Sequence, residues 1–323
     1  HSLRHVTWRP TVDIVMSTFN EERHIARCLE NVLGQDYPPE LVRIWLVDGG
    51  STDRTVEIAG RIADARLTVI ADGRRLNLPE ALNVAIERSA GELVAKIDAH
   101  GYPERDFLSR AVAAFESPDI GCVGGMPIQE GDTPFGEAVA AARGSSFGVG
   151  GGTYAIKGDR MSVDSVQCGV YRRSALVRVG AFDPAMNFGE DDELNWRLVQ
   201  ADYRILLDRR IRFHYVTRPT WRSAYRQYRN YGEARVNVVR RHPDFLRPHH
   251  LAPALLVTGG ATLAAGSVVS PAARRLLAAA VVAYSGAALV AAGGRPRVAG
   301  AFAALHVGYG VGMLRALSRF GSR

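Results

Sequence analysis

Over the first 125 residues of the chain, short apolar runs alternate with longer amphipathic segments. Short apolar runs rich in β-branched residues predict strands, and the segments between them repeat apolar positions every three to four residues, which predicts helices. Strands separated by helices of this length imply right-handed crossovers, and hence an α/β fold with a mostly parallel sheet covered by helices on both faces. The predicted strands are 12–17, 42–47, 67–70, 91–97 and 120–125.

Polar side chains follow three of these strands at their carboxyl ends. Each group taken alone is also typical of helix capping, because Asn, Ser, Thr and Asp commonly cap helices. In open parallel sheets, however, ligands bind at the carboxyl ends of the strands, so the coincidence of three such ends favours a site. The side chains are Thr18, Asn20 and Glu22 after the first strand, Asp48 after the second, and Asp98 and His100 after the fourth.

Four consecutive acids, Glu190 to Glu193, open a later predicted helix whose inward face would carry Leu194 and Leu198. Negative charge at a helix N-terminus is favourable by itself. Four acids exceed what the helix dipole needs, so a functional carboxylate is the preferred interpretation. Between this helix and the fifth strand, the glycine-rich run at 148–152 favours a flexible loop over a phosphate cradle, because no strand–loop–helix order surrounds it.

Charge is segregated along the chain, although the net charge of +7 does not reveal it. Residues 1–202 contain 21 basic and 30 acidic side chains, residues 203–250 contain 12 and 3, and residues 251–323 contain 7 and none. A basic C-terminal third fits either nucleic acid or a surface of anionic lipid. Because the tail is also strongly apolar, we expect a membrane as the partner and no nucleic acid.

Three uncharged apolar stretches occupy the tail, at 251–270, 276–294 and 298–314. They are close to the lower length limit for a membrane-spanning helix and are rich in Ala and Gly, which suits close helix packing in lipid. The buried helices of a soluble domain are the alternative. We expect about three transmembrane helices within 251–318, preceded by a basic membrane-surface segment at 216–250.

Five motifs in order resemble one known family. Together they are similar to the family 2 inverting glycosyltransferases with the GT-A fold, and within these to the bacterial exopolysaccharide branch that includes the succinoglycan glucosyltransferases. The similarity covers about residues 10–250, and it implies a GT-A catalytic domain at 10–215. The motifs are "VMSTFNEERHIARCLENVLGQ", "VDGGSTDRT", "LPEALNVAIERSAGELVAKIDAH", "FGEDDELNWRLVQADYRI" and "RQYRNYG".

The resemblance implies roles for the polar strand ends. Thr18, Asn20 and Glu22 match the loop that borders the nucleotide, and Asp48 matches the acid that holds the uracil or ribose. Asp98 matches the first acid of the family's Asp-x-Asp motif, which binds a divalent ion and the sugar nucleotide.

The metal site implied by the resemblance departs from the family at one position. His100 stands where the second acid of the motif is expected, and an imidazole ligand shifts preference from Mg²⁺ toward Mn²⁺. His214 is a candidate third ligand, with a structural histidine on an apolar strand as the alternative. A divalent ion that bridges both phosphates would neutralise the leaving group as a Lewis acid.

The acidic helix matches the family's Glu-Asp motif, in which Asp191 is the general base and Glu190 lies beside it. Its place near a helix N-terminus predicts a lowered pKa for Asp191. A single in-line displacement, with Asp191 accepting the proton of the acceptor hydroxyl, would convert an α-linked donor into a β-linked product.

Processive relatives carry Gln-x-x-Arg-Trp, whereas here Gln227 and Arg229 lie in "QYRNYG" without a Trp. The resemblance therefore implies addition of one sugar per acceptor. Gln227, Arg226 and Arg229 are expected to face the acceptor's diphosphate or the membrane surface, and a solvated basic face is the alternative.

These patterns predict a metal-dependent enzyme of the inner membrane with several spans and a cytosolic catalytic domain. It would move a hexose, expected to be glucose, from a UDP-sugar to a lipid-diphosphate-linked saccharide, with Mn²⁺ or Mg²⁺ as cofactor. Three widely spaced cysteines fit a reduced compartment. The alternatives are a polyprenyl-phosphate glycosyl synthase and a non-catalytic subunit that binds nucleotide.

Overall fold

The computed structural model describes residues 8–149 and 158–319. The chain divides into two compact units. The described residues of the first unit are 8–128 and 158–215, and those of the second are 129–149 and 216–319. Most of the glycine-rich run, at 150–152, lies outside the described residues.

A nine-stranded sheet forms the centre of the first unit, and two of its strands, β6 and β9, end in the second unit. The strand order is β3-β2-β1-β4-β8-β6-β9-β5, and β7 pairs with β9. The strands are β1 (Val12–Thr18), β2 (Val42–Asp48), β3 (Leu67–Ile70), β4 (Leu93–Lys96), β5 (Gly101–Pro103), β6 (Ile120–Glu130), β7 (Arg160–Val163), β8 (Val170–Arg172) and β9 (Arg204–Val216).

The sheet is mixed, which corrects the prediction of a mostly parallel one. The pairs β1–β2, β1–β4 and β2–β3 are parallel, as the alternating pattern of the first 125 residues predicts. The pairs β4–β8, β6–β8, β5–β9 and β7–β9 are antiparallel. The fifth predicted strand exists as β6, but the later strand β8 lies between it and β4. Periodicity describes each strand separately and carries no information about which later strand will insert.

The described residues form twelve α-helices, six in each unit. Those of the first unit are α1 (Ile25–Leu33), α2 (Thr55–Gly60), α3 (Leu78–Arg88), α4 (Phe107–Ala113), α7 (Arg173–Val179) and α8 (Glu190–Gln200). Those of the second are α5 (Pro134–Arg143), α6 (Ser146–Val149), α9 (Trp221–Arg241), α10 (Ala252–Gly266), α11 (Pro271–Ala291) and α12 (Pro296–Ser318).

Helix α3 illustrates how the local sequence sets these elements. Asn77 accepts a hydrogen bond from the Glu80 backbone N–H, and Glu80 accepts one from the Asn77 backbone N–H, which together form a capping box. Pro79 lies in the first turn, where its missing N–H costs nothing. The buried residues Ala81, Leu82 and Ala85 then face the core at helical spacing.

In the second unit, α12 packs closely along α9 because glycines remove the side chains between them. A Cβ atom at Gly312 would overlap the carbonyl oxygen of Arg229, and one at Gly308 would lie 2.7 Å from the carbonyl oxygen of Tyr225. On the α9 side, a Cβ at Gly232 would overlap the carbonyl oxygen of Tyr309. Small residues four apart allow such contact between helix backbones.

The prediction of three membrane spans is not confirmed. Among the described residues only α11, with 21 residues, is long and apolar enough to cross a membrane. Helix α10 has 15 residues, about 22 Å at 1.5 Å per residue, against a hydrocarbon core of about 30 Å. Helix α12 is long, but ten of its residues are buried against protein. Composition alone does not separate such a protein-packed helix from a lipid-facing one.

Candidate active site

The carboxyl ends of β1, β2 and β4 meet because these strands are parallel neighbours. Thr18 lies opposite Asp48 in the register, and the backbone N–H of Gly49 donates to the carbonyl oxygen of Thr18 at 2.8 Å. The hydroxyl oxygen of Thr18 is buried and has no hydrogen-bond partner among the described residues. The structure thus brings Thr18 and Asp48 together, and the Thr18 hydroxyl makes no hydrogen bond within the described residues.

Asp48 shapes the loop that follows β2. Its buried carboxylate accepts hydrogen bonds from the backbone N–H groups of Gly50 at 3.0 Å and Ser51 at 2.9 Å, and from the Ser51 hydroxyl. Both carboxylate oxygens are therefore engaged by the loop itself. Asp48 holds the loop in place, whatever it contributes to a ligand.

Asn20 and Glu22 join the loop after β1 to the loop after β2. Asn20 has a left-handed backbone, with φ of 56°, and its side-chain oxygen accepts from the Thr52 backbone N–H at 2.8 Å. The Glu22 carboxylate pairs with Arg54 at 3.4 Å near the surface. These contacts connect the two loops at one edge of the site.

Lys96, to which no sequence pattern assigned a role, lies at the centre of the acidic residues. Its side chain is buried, and its Nζ atom lies 2.7 Å from Asp191 Oδ2, 3.0 Å from Glu190 Oε1 and 3.3 Å from Asp98 Oδ1. The signal was present, because a charged residue inside the apolar strand "ELVAKI" requires a partner. Asp98, the acid predicted to bind the sugar-nucleotide donor (the donor acid), and Asp191, the predicted base, thus both contact one ammonium group.

The charges of this cluster shift its protonation equilibria. Burial would lower the pKa of Lys96, but Asp191, Asp98 and Glu190 outweigh it and raise that pKa well above its usual value. Burial raises the pKa of Asp191 to about 8, with Glu190 and Asp98 adding to the rise and Lys96 opposing it. The expectation of a lowered pKa for Asp191 is therefore wrong. Burial and neighbouring carboxylates outweigh the helix dipole, which acts only locally.

His100 is held by an acid of the first loop. Its Nδ1 atom lies 3.1 Å from Glu21 Oε1, and its ring packs edge-on against Tyr215. Burial would lower the pKa of His100, but the hydrogen bond with Glu21 and the nearby Tyr215 and Asp98 raise it to about 9. The raised pKa favours the protonated imidazole, so that binding of a metal ion by His100 would release a proton.

The structure does not bring His214 together with Asp98 and His100. Its Nε2 atom lies 3.6 Å from Glu104 Oε1, on the rim of a surface cavity that Asn31 and Asp36 also line. Successive side chains of a strand point to opposite faces. Because Tyr215 contacts His100, its neighbour on β9 faces the other way.

Gln227, Arg226 and Arg229 all lie on α9 in the second unit. Gln227 is buried and donates to the Tyr231 hydroxyl at 3.1 Å, while Arg226 is exposed. Arg229 lies 3.8 Å from Glu233, an acid that also pairs with Arg315 and Arg319 of the C-terminal segment. Glu233 therefore neutralises part of the basic surface that the charge pattern indicated.

Comparison with known proteins agrees with the fold and with the motifs at the strand ends. The family profile described as "Glycosyl transferase family 2" matches residues 13–180, which is more than half of the chain. The chain belongs to glycosyl transferase family 2. This confirms the family to which the five motifs pointed.

Two curated relatives resemble this glycosyltransferase over most of its length. One is the dolichyl N-acetyl-alpha-D-glucosaminyl phosphate 3-beta-D-2,3-diacetamido-2,3-dideoxy-beta-D-glucuronosyltransferase of Methanococcus voltae, 27% identical over 71% of this chain and 74% of the relative. The other is the succinoglycan biosynthesis protein ExoA of Rhizobium meliloti (strain 1021), 30% identical over 75% of this chain and 72% of the relative. The second agrees with the exopolysaccharide branch named above.

A solved structure shares the fold of this glycosyltransferase. The mannosyltransferase PcManGT of Pyrobaculum calidifontis, solved in complex with GDP-Man and Mn²⁺, matches with a TM-score of 0.67 and 23% identity, over 94% of this chain and 88% of that one. At this level of identity the match establishes a GT-A type fold. The mixed sheet described above is the form that this fold takes here.

The residues of the glycosyltransferase fit a divalent ion shared with a diphosphate better than an ion caged by protein. Within 8–149 and 158–319, no cluster of three or more His, Cys, Asp or Glu side chains could hold a metal ion. Ions that bind with diphosphates take one or two carboxylates from the protein and their other ligands from phosphates and water. Asp98, whose pKa is lowered by Lys96 and His100 against the effect of burial, is ionised and fits that requirement.

Glu21→Gln tests the environment of His100. The hydrogen bond with Glu21 raises the pKa of His100, so we expect its removal to lower that pKa from about 9 toward the ordinary histidine range of about 6.5. Histidine ring resonances, followed by NMR against pH without divalent ions and assigned with His100→Gln, give the value. An unchanged His100 titration in Glu21→Gln would contradict the ion pair.

Proposed function

We propose that this family 2 glycosyltransferase moves one hexose from a UDP-sugar to a lipid-linked saccharide, with inversion at the sugar carbon. The observation that carries the proposal is the cluster in which Lys96 joins Asp98, the donor acid, to Asp191, the base. A nucleotide-diphosphate site at the strand ends and a carboxylate on α8 are the two parts that such a transfer needs.

The relatives support the class of acceptor. The name of the Methanococcus voltae enzyme gives a sugar carried on dolichyl phosphate as its acceptor, and the Rhizobium meliloti protein takes part in succinoglycan biosynthesis. We therefore propose a saccharide carried on a lipid phosphate or diphosphate for this chain, with glucose as the expected sugar. The sequence "QYRNYG", without the Trp of processive relatives, supports addition of a single sugar per acceptor.

In the proposed reaction, the ionised form of Asp191, which its raised pKa makes a stronger base than an ordinary carboxylate, accepts the proton of the acceptor hydroxyl on Oδ1 while Lys96 holds Oδ2 at 2.7 Å. The acceptor oxygen forms its bond to the sugar carbon as the bond from that carbon to the diphosphate oxygen breaks, and the configuration inverts. A divalent ion, held by Asp98 and the two phosphates, would neutralise the charge that develops on the leaving diphosphate. Mn²⁺, present in the structure of the mannosyltransferase from Pyrobaculum calidifontis, and Mg²⁺ are the candidates.

Asp191→Asn tests the base. We expect kcat to fall by about 10²- to 10⁴-fold, because an amide cannot accept the proton, while UDP still binds. Release of UDP and transfer of radiolabelled sugar to extracted membrane lipid are measured with a panel of sugar nucleotides and either Mn²⁺ or Mg²⁺.

Asp192→Asn, the next acid on the same helix, is the control and should keep its activity. Full transfer by Asp191→Asn would contradict the base assignment. A product with a monophosphate-linked single sugar would indicate a polyprenyl-phosphate synthase, and UDP binding without any turnover would indicate a non-catalytic subunit.

We further propose that the second unit attaches the enzyme to the cytosolic face of the inner membrane through α10 and α11. Large apolar side chains of these helices and of the turn between them are exposed, and the chain has no acidic residue after 250. Exposed Trp221 stacks on Tyr225 beside exposed Arg222 and Arg226, a combination that favours a membrane–water interface. The exposed residues are Leu255, Leu256, Val268, Val269, Leu276, Val281, Val282, Leu289 and Val290.

The packing of α12 supports a pair of membrane-inserted helices in place of three spans. Because α12 packs along α9 through Gly308 and Gly312, and α9 carries a row of arginines, both helices stay on the same side of the hydrocarbon core. Helix α10 begins against α12, where a Cβ at Gly310 would overlap the carbonyl oxygen of Pro253. We therefore propose that the chain enters the membrane through α10 and comes back through α11 to the same side of the membrane.

Val282→Glu tests this attachment. Val282 on α11 is 72% exposed, and a charge placed there should weaken binding to vesicles of phosphatidylcholine and phosphatidylglycerol by about tenfold or more. Val177→Glu on α7, at a position 78% exposed in the first unit, is the matched control and should bind as the wild type does. Equal flotation of both variants with the vesicles would contradict the proposal.

A further inference from the structure

We propose that Lys96 is a positioning residue for the transfer reaction: it aims Asp191 at the acceptor hydroxyl and fixes its place relative to Asp98. This inference rests on the proposed function, in which Asp191 is the base and Asp98 belongs to the donor site. Nothing in the family's motifs, as quoted above, assigns a role to the lysine.

The two oxygens of Asp191 are in different states. Oδ2 accepts a hydrogen bond from Lys96 Nζ at 2.7 Å, whereas Oδ1 is buried and has no hydrogen-bond partner among the described residues. A carboxylate held at one oxygen has little freedom to rotate, so the direction of its second oxygen is set. The lysine therefore occupies Oδ2 and leaves Oδ1 as the oxygen without a hydrogen bond, which can accept a proton.

Glu190 contributes to the position of the ammonium group. It is buried, and its Oε1 atom accepts from Lys96 Nζ at 3.0 Å. A carboxylate bound in this way serves as an anchor for the lysine. This assigns different roles to the two acids of the Glu-Asp pair, with Glu190 holding Lys96 and Lys96 holding Asp191.

The backbone of Lys96 belongs to the sheet and not to a loop. Lys96 ends β4, which lies between β1 and β8, and its N–H donates to the carbonyl oxygen of Gly169 at 2.9 Å. Asp98 follows two residues later, with Oδ1 at 3.3 Å from the same Nζ atom. One side chain, anchored on a central strand of the sheet, thus contacts both Asp98 and Asp191. Such fixed positions are what precise alignment of two substrates requires.

A purely structural role for Lys96 makes a different prediction. A buried ammonium group that only compensates buried acids would, on removal, destabilise the fold and lower activity together. A positioning residue acts through Asp191, so its loss should lower kcat without changing KM. It should also cost nothing further once Asp191 can no longer act.

The experiment is a double-mutant cycle on the full chain, with kcat, both KM values, UDP affinity by calorimetry with and without Mn²⁺, and the midpoint of thermal unfolding. We expect Lys96→Met to lower kcat by about 50-fold or more while both KM values and UDP affinity stay within about threefold. Adding Lys96→Met to Asp191→Asn should lower kcat no further. Lys96→Arg, which keeps the charge, should recover part of the loss.

Two further variants separate function from folding. Lys96→Met with Glu190→Gln removes one acid with the lysine, so it keeps the experiment informative if Lys96→Met does not fold. Asp208→Asn is the matched control, because Asp208 is buried and paired with Arg160 and Arg210 elsewhere in the first unit. It should lower the unfolding midpoint and leave kcat unchanged.

The inference is overturned if Lys96→Met retains kcat within about threefold. It is also overturned if the fold-loss of kcat in the double variant equals the product of the losses in Lys96→Met and Asp191→Asn. A fall in UDP affinity with kcat unchanged would also overturn it. Full transfer by Asp191→Asn would instead refute the proposed function. An inactive Asp191→Asn beside an active Lys96→Met would refute only the role of the lysine.

Discussion

The site depends on one buried ammonium group that is shared by three carboxylates. Burying a charge is costly unless it is paired. The Nζ atom of Lys96 lies 2.7 to 3.3 Å from carboxylate oxygens of Asp98, Glu190 and Asp191. Three acids against one lysine leave an excess of negative charge. Burial, together with that excess, raises the pKa of Asp191. The negative charge also supports the proposal that a divalent cation binds here with the diphosphate.

The sheet supplies the geometry for this cluster. Parallel pairing of β1 with β2 and β4 brings their carboxyl ends together, and hydrogen bonds from Asn20 to Thr52 and from the loop to Asp48 lock the two loops. Helix α8 then presents Asp191 to the lysine at the end of β4. Asp98 and the proposed base Asp191, which are distant in the chain, thereby share one ion-pair partner.

The parts of the site that local patterns encode were predictable. Periodicity located β1, β2 and β4, and the rule that parallel strands carry ligands at their carboxyl ends selected Asp48 and Asp98. The run of acids indicated a functional carboxylate, and the resemblance to family 2 glycosyltransferases implied that it is Asp191. The bonds of Lys96 were not predictable, because its partners on α8 come from a distant segment. The predicted direction of the pKa shift of Asp191 was wrong for the same reason. The helix N-terminus can be read from the neighbouring sequence, whereas the burial of Asp191 and its contact with distant Asp98 and Lys96 cannot.

The second unit shows the same limit. The apolar stretches at 251–314 share a composition of small residues, but only packing distinguishes them: α12 uses its glycines against α9, while α11 exposes its side chains. The antiparallel half of the sheet likewise depends on β8 inserting between β4 and β6, which no periodicity encodes.

The central claim is a single displacement assisted by one carboxylate, because Oδ1 of Asp191 has no hydrogen-bond partner among the described residues, while Glu190 is held by the lysine. The anomeric configuration of the transferred sugar, determined by NMR of the product made from an α-linked sugar nucleotide, tests it most directly. We expect a β-linked product. An α-linked product would contradict it, since retention requires a second nucleophile or attack from the face of the leaving group.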